Sequence, residues 1–344
     1  MSLRIRPVTS RADLARFIGL PPEIYKGMPG FVAPLRMDRS VFLDPRKSAF
    51  YKTGRAQYWL ALRGDRIVGR ISAQISEKRP LGLPPDAGQF GAIDAIDDPE
   101  VVAALLRQAE DWLVAQKCAS VFGPTLLSMN QEPGLMIEGR QEPPMIMTPW
   151  HPEYLERHIR ANGYRPLKDL YHYKFTGPPN RLVSDLIRKG PRPQPGRSIR
   201  HLDMRHLGRD LAVIAEIYNQ AWSRNWGFIP IDAADMQALG KDMKWFMRKE
   251  DGLILYDGDK PVATALMLPN INELTADLGA DPSLLGWVKL GMRCLRPKFR
   301  TRRFLLLGMV PEGRGSLANR YLLLWMVSEF LRSAEEQNVR LMEA

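Results

Sequence analysis

Thr301 to Arg332 reads TRRFLLLGMVPEGRGSLANRYLLLWMVSEFLR, and the reading of the whole chain turns on it. Phe304 to Val310 is a short apolar run of strand length, Pro311-Glu312-Gly313-Arg314-Gly315 is a polar turn rich in glycine, and a strongly apolar helix follows. A buried strand, a tight turn and a helix starting at that turn make an anion site. The first helical amides have no intrahelical acceptor and carry the positive end of the helix dipole. Arg314 adds a fixed charge suited to phosphate oxygens. An ordinary strand-to-helix connection has the same spacing, because a lone Gly-x-Gly is a weak signal.

VPEGRG followed by a helix resembles the pyrophosphate loop of the GNAT (GCN5-related N-acetyltransferase) superfamily. Arg314 fills the first place of the usual pattern and Gly315 fits, while Leu317 stands where the pattern has its key glycine and Asn319 closes it. The resemblance implies an α+β fold with a mixed, mostly antiparallel sheet flanked by helices, and acyl-CoA as co-substrate. It places the cofactor on Met309, Val310, Gly313, Arg314, Gly315 and Ser316, with a backbone N–H near Met309 or Val310 as donor to the tetrahedral oxyanion. An amine nucleophile is mostly protonated near neutral pH and needs a base, for which Glu312 is the candidate. Tyr321 is the nearest tyrosine to protonate the leaving thiolate. Read as plain structure, Glu312 is a helix N-terminal carboxylate and Tyr321 a core residue on an apolar helix face.

The chain has 344 residues and a formal charge of +11, with apolar and charged fractions of a globular protein. That length predicts two domains or one large one. Cys118 and Cys294 fit neither a disulfide framework nor a zinc spacing, and the histidines form no metal pattern, so a reducing cytoplasm and no metal are expected. The stretch after Met1 is strand-like rather than a signal-peptide core, and no apolar run approaches the ~20 residues of a spanning helix. The basic balance predicts an anionic partner. Nucleic acid is disfavoured, because no binding motif or stacking platform is present.

In order, the chain reads as strand (Leu3 to Val8), helix capped by Ser10, hairpin (Gln57 to Leu62 and Arg66 to Ile75), strand (Phe90 to Ile96), helix (Val101 to Gln116), strand (Ser120 to Gly123), helix (Pro152 to Ala161) and a final strand (Leu170 to Phe175). This is the GNAT order. The order begins again at Ile199, with helices over Asp210 to Arg224 and Met236 to Met247, a hairpin across Asp257-Gly258-Asp259, then the opening stretch. The expectation is two GNAT-like domains in tandem, residues 1–177 and 198–344, joined by a Pro/Arg/Gly-rich linker at 178–197. The second domain lacks its last helix and strands, so either the sequence is cropped or those elements come from elsewhere.

Three further stretches carry candidate chemistry. Tyr218, Asn219, Trp222, Asn225 and Trp226 cluster along one helix, four of them on one face. Two amides and two indoles are costly in a plain core, so they read as an acceptor site, against a core stripe with polar ends. Asn130 and Glu132, in the long irregular stretch Leu126 to Trp150, are candidate substrate-binding residues, and His151 beside it is a candidate base or orienter, or simply the start of a helix. Leu284 to Arg303 combines leucines and Trp287 with Lys289, Arg293, Arg296, Lys298, Arg300, Arg302 and Arg303 and no acid. Such a segment reads as an anchor on an anionic membrane surface, or as a solvated basic loop over a core helix. The first repeat carries Asp94, Asp97, Asp98 and Glu100 where a phosphate loop would need donors, so acyl-CoA is expected on the second repeat only.

Gly123 to Gly134, Tyr218 to Pro230 and Leu284 to Gly308 are similar to a bacterial tandem-GNAT group that includes ceramide synthases, which acylate a sphingoid base from acyl-CoA. The resemblance implies N-acylation of an amine, with a membrane lipid amine favoured, in the cytoplasm or at the inner membrane. A GNAT-fold binding protein without catalysis and an acetyltransferase of a soluble amine are the alternatives.

Overall fold

The computed structural model describes residues 2–176, 184–185, 189, 195–295, 297–313 and 317–344, with the side chains of 242 and 317–320 outside the description. The linker expectation falls mostly outside these residues. The described chain divides into two compact units, Met1–Leu170 with Thr275–Leu290, and Tyr171–Leu274 with Gly291–Ala344.

The first unit holds a five-stranded sheet in the order β1-β2-β3-β4-β5. The strands are Leu3–Pro7, Gly54–Arg63, Arg66–Ser76, Ala87–Ala95 and Ser120–Phe122, antiparallel except for the parallel β4–β5 pair. Strand alternation divides the core. Trp59 and Ala61 face helices α3 (Pro99–Ala115) and α4 (Glu153–Ala161) through Val101, Leu105, Leu113, Leu155 and Ile159. Tyr58, Leu60 and Leu62 face the other way, toward Phe17 and Ile18 of α1 (Arg11–Ile24) and Leu43 of α2 (Arg36–Leu43). Ser10 caps α1 by accepting the Asp13 N–H, and Asp98 caps α3 by accepting those of Glu100 and Val101 behind a proline at the first turn. A short hairpin of β6 (Thr125–Leu126) and β7 (Glu132–Pro133) follows β5.

In the second unit the sheet order is β8-β13-β12-β11-β10-β9. These strands are Lys174–Thr176 (β8), Arg197–His201 (β9), Gly252–Asp257 (β10), Lys260–Pro269 (β11), Thr301–Met309 (β12) and Leu341–Glu343 (β13). Only β12 and β13 run parallel. Leu253, Leu255, Ala263, Ala265, Met267 and Met309 pack against Leu322, Trp325, Met326 and Phe330. Those four belong to a helix, α8 below, over Leu317–Glu336. Helices α5 (Leu207–Ala221) and α6 (Ala233–Met243) pack together, and α5 lies against β11 and β12. Helix α7 (Leu284–Leu295) runs from the part of the chain assigned to the first unit into that of the second.

The stretch expected as the last strand of the first repeat behaves otherwise. Its ordered part, β8, pairs antiparallel with β13, Phe175 opposite Met342, and Tyr173 exchanges two backbone hydrogen bonds of 2.9 and 3.0 Å with Ala344. The position beside β13 in the second unit's sheet is thus taken by residues that precede β9. A three-residue β13 at a sheet edge would leave a row of unpaired N–H and C=O groups, and β8 takes them up.

Candidate functional site

Strand β12 leads into the candidate residues Met309 to Gly313. It pairs with β13 only over Thr301–Arg303 and with β11 along its whole length, through a register shift between Leu266 and Met267. From Phe304 onward no described strand pairs with its second edge. The N–H of Val310 donates to Val262 O at 2.9 Å, so it is engaged in the ladder. Backbone groups alternate sides along a strand, so the N–H of Met309 points to the opposite edge, where β12 has left β13. Beyond it the chain turns through a 3₁₀ turn, Pro311–Gly313, with Pro311 and Glu312 exposed, and α8 begins at Leu317. Arg314, Gly315 and Ser316 lie outside the described residues.

The aromatic run on α5 is brought to this strand. Trp222 caps the C-terminus of α5, and its indole lies over Gly308, the residue before Met309. A Cβ on residue 308 would sit 2.9 Å from Ala221 Cβ and 3.2 Å from Trp222 Nε1. A strand of large apolar residues, FLLLGMV, is thus interrupted by glycine where a helix must come close. Tyr218 stacks on Trp222 with ring centroids 6.0 Å apart and meets Phe228 at 5.4 Å. Desolvation pushes the Tyr218 hydroxyl up to about 12.

Asn219 does something the sequence reading did not foresee. Its side-chain amide donates to Ile231 O at 2.7 Å and accepts the Ile231 N–H at 2.9 Å, which fastens the loop after α5 back onto the helix. Asn225 is exposed, with its N–H on Trp222 O, and Trp226 is half-buried. Tyr321 lies on an exposed part of α8.

The other candidates belong to the first unit. His151 is buried, and its Nδ1 accepts the Met136 N–H at 3.2 Å, so the neutral ring carries its proton on Nε2. Burial lowers its pKa, partly opposed by Asp94 and Glu132. The Glu132 carboxylate pairs with Arg39 at 2.5 Å, and the Asn130 N–H bonds Ser128 Oγ at 3.3 Å. The acidic turn is engaged throughout: Asp94 with Arg70, Asp97 with Arg157 and His158, and Asp98 and Glu100 with Arg63.

The basic segment needs revision. Arg302 is 1% exposed and pairs with Asp251 at 3.1 Å and with Gln337 at 2.8 Å. Lys289 pairs with Asp277, and Arg293 donates to Leu274 O at 2.6 Å. Arg296 lies outside the description. Lys298 and Arg300 remain as exposed cations. What the sequence understated is the apolar face of α7: Leu284, Leu285 and Leu295 are 80–82% exposed, beside exposed Val288 and Met292. Spaced at helical period, they form one side of a helix that buries no residue. Among the described residues no helix is long and apolar enough to cross a membrane, and no group of His, Cys, Asp or Glu is placed to hold a metal ion.

No family model matches the sequence. The chain is 35% identical over 333 residues to a bacterial ceramide synthase of Caulobacter vibrioides, covering 94% of this chain and 85% of that one. It is 33% identical over 316 residues to protein YghO of Escherichia coli, covering 90% and 79%. Among solved structures, a tandem GNAT protein of the clavulanic acid biosynthesis pathway superposes with a TM-score of 0.53 at 12% identity, over 99% of this chain and 89% of that one. A probable N-acyltransferase from Enterococcus faecalis superposes at 0.51 and 11% identity, over all of this chain and 65% of that one. The fold is thus the tandem GNAT fold, and the chain belongs to the family of the Caulobacter bacterial ceramide synthase.

Proposed function

We propose that this protein is an acyl-CoA-dependent N-acyltransferase whose acceptor is a membrane lipid amine of the sphingoid-base type. The observation that carries the reading is the end of β12. The edge of β12 where two parallel strands part, followed by a tight turn and a helix, suits a thioester carbonyl against the strand and phosphates at the turn. Trp222 and Tyr218 would form the wall on which the acceptor amine approaches, and Asn219 holds the loop that continues that wall.

The reaction forms an amide bond and breaks the thioester, with the amine proton passing to a base and the thiolate leaving protonated. Glu312, exposed at the turn, is the proposed base, and Tyr321 on α8 the proposed donor to sulfur. Gly313, Arg314, Gly315 and Ser316 would hold the pyrophosphate. The lipid acceptor is supported by the name of the 35% identical relative and by α7, whose apolar side would lie in the interface of a bilayer with Lys298 and Arg300 at the headgroups. His151, Asn130 and Glu132 are read as holding the irregular loop of the first unit.

A thermal-shift series with CoA, acetyl-CoA and palmitoyl-CoA tests the reading. Stabilisation that is largest with palmitoyl-CoA is the expected result. Equal stabilisation by all three favours a soluble-amine acetyltransferase, and none by any points to a binding protein without catalysis.

A further inference from the structure

The two units place the same strand in different chemical surroundings. In the first unit β4 pairs with β5 over Ala87–Gln89 and then leaves it, as β12 leaves β13 after Thr301–Arg303. Ala95 stands opposite Gly69 and Ile96 donates to Val68 O at 3.0 Å; Met309 stands opposite Ala263 and Val310 donates to Val262 O at 2.9 Å. Ala95 therefore holds in β4 the place that Met309 holds in β12, and Asp94 the place of Gly308. Tyr25 caps α1 as Trp222 caps α5.

At this place the first unit bonds to itself. The Ala95 N–H donates to the Tyr25 hydroxyl at 3.3 Å, and Ala95 O accepts from the Tyr154 hydroxyl at 2.7 Å. Tyr25 is fully buried, and burial together with Asp94 pushes its pKa well up, which keeps it a neutral phenol. In the second unit the capping residue is tryptophan, whose indole N–H only donates and cannot accept a backbone N–H. Farther along, the chain leaving β5 folds back on β4. A Cβ on Gly91 would meet Thr125 O at 1.7 Å, and one on Gly123 would meet Phe90 O at 2.4 Å. Thr125 is locked there by Gln74, whose amide donates to its carbonyl at 2.8 Å, and by its own hydroxyl donating to Gln89 at 2.8 Å, all buried. Asp94, paired with Arg70, adds a buried carboxylate where a thioester would lie.

We infer that the first unit is an acyl-transfer scaffold occupied by its own side chains and hairpin, with Tyr25 and Tyr154 on Ala95 and β6 against Gly91, so that each chain takes one acyl-CoA. The inference rests on the reading of β12 as the thioester strand. It differs from the argument on the acidic turn, because here the strand edge is filled rather than the phosphate repelled.

Two measurements on the full chain test it. Palmitoyl-CoA titrated by calorimetry and native mass spectrometry should bind at one per chain. Two per chain would overturn the inference and leave the functional reading standing, while no binding would overturn that reading. Hydrogen exchange on the free chain decides the inference in that last case. Peptides spanning 88–96 and 123–128 should exchange slowly without ligand and keep the same rate when palmitoyl-CoA is added. Fast exchange in the free chain, or slowing on addition, would overturn it. Tyr25→Phe and Tyr154→Phe keep the ring and remove the hydroxyl; they should speed exchange at 88–96 and leave acyl-CoA affinity within about threefold. A tenfold change in affinity from either would count the first unit into the binding site.

Discussion

The Trp222 indole lies so close over Gly308 that a methyl group there would sit 3.2 Å from its Nε1 and 2.9 Å from Ala221 Cβ. Gly308→Ala should destabilise the protein by about 1–3 kcal/mol, the usual range for overpacking. It should lower turnover with the amine more than acyl-CoA affinity. Trp222→Ala alone should lower turnover and leave acyl-CoA affinity within about threefold. In the double variant the stability losses should fall short of additive, because the indole is gone while the methyl still meets Ala221 Cβ. A cycle measured by urea unfolding checks this, and simple additivity would mean that the contact does not shape the site.

Asn219→Ala should release the loop that ends at Ile231. Both Ile231 backbone groups lose their partner, and at this half-buried position each bond should be worth about 1 kcal/mol. Hydrogen exchange should rise in 225–231 and stay unchanged in β12. If exchange rises in both together, the loop and the strand unfold as one unit.

Arg302→Gln should cost about 3–5 kcal/mol, because it leaves the Asp251 carboxylate buried beside a neutral amide. Arg300→Gln should leave stability within about 0.5 kcal/mol, as expected at an exposed side chain. Chemical denaturation of the two variants makes the comparison. Equal effects would place Arg302 at the surface.

On anionic vesicles, Leu284→Ser with Leu285→Ser should reduce flotation by more than about tenfold, since each buried leucine is worth about 1.5–3 kcal/mol. Lys298→Gln with Arg300→Gln should have the smaller effect, and only at low salt, where the screening length is about 10 Å or more. A larger loss from the two cations than from the two leucines would return the anchor to the electrostatic form that the sequence suggested.

Acid should act on His151 with a definite sign. Burial depresses its folded-state pKa below 6.5, so the unfolded chain binds the extra proton first. The stability that depends on the neutral ring is whole above pH 6.5 and is lost as pH falls below it. Asp251, raised to about 6 by burial against the pull of Arg302, slopes the other way. The total is therefore uninformative, and the difference between wild type and His151→Asn isolates the histidine. That difference should shrink between pH 7 and pH 5; a constant difference would mean that folding does not shift the ring's pKa.

The strand and the helix within 301–332, both hairpins and the cap at Ser10 were legible in the sequence, because each rests on local periodicity or a local hydrogen bond. The destination of Leu170–Phe175 was not. A strand signal says that a segment is extended and leaves open which edge it joins, and β8 joins a strand 165 or more residues away. Arg302 looked like one more cation in a basic run, yet strand alternation buries it opposite Asp251, a partner 51 residues distant. Asn219 was legible as a polar group that needed partners, though not as one whose partner would be backbone. Gly308 carried a signal that could have been used: a glycine in a strand of leucines marks a close approach.

The register of β8 against β13 also bears on how such a chain can change over generations. A gene cut at the linker would give a downstream half whose sheet ends at β13 without β8, and Thr275–Leu290, assigned to the upstream unit, would leave with that half. Each unit is thus coded on both sides of the cut. Recombination between homologues at the linker would mix residues that must fit one another within a single fold, so the two repeats are bound to be inherited together.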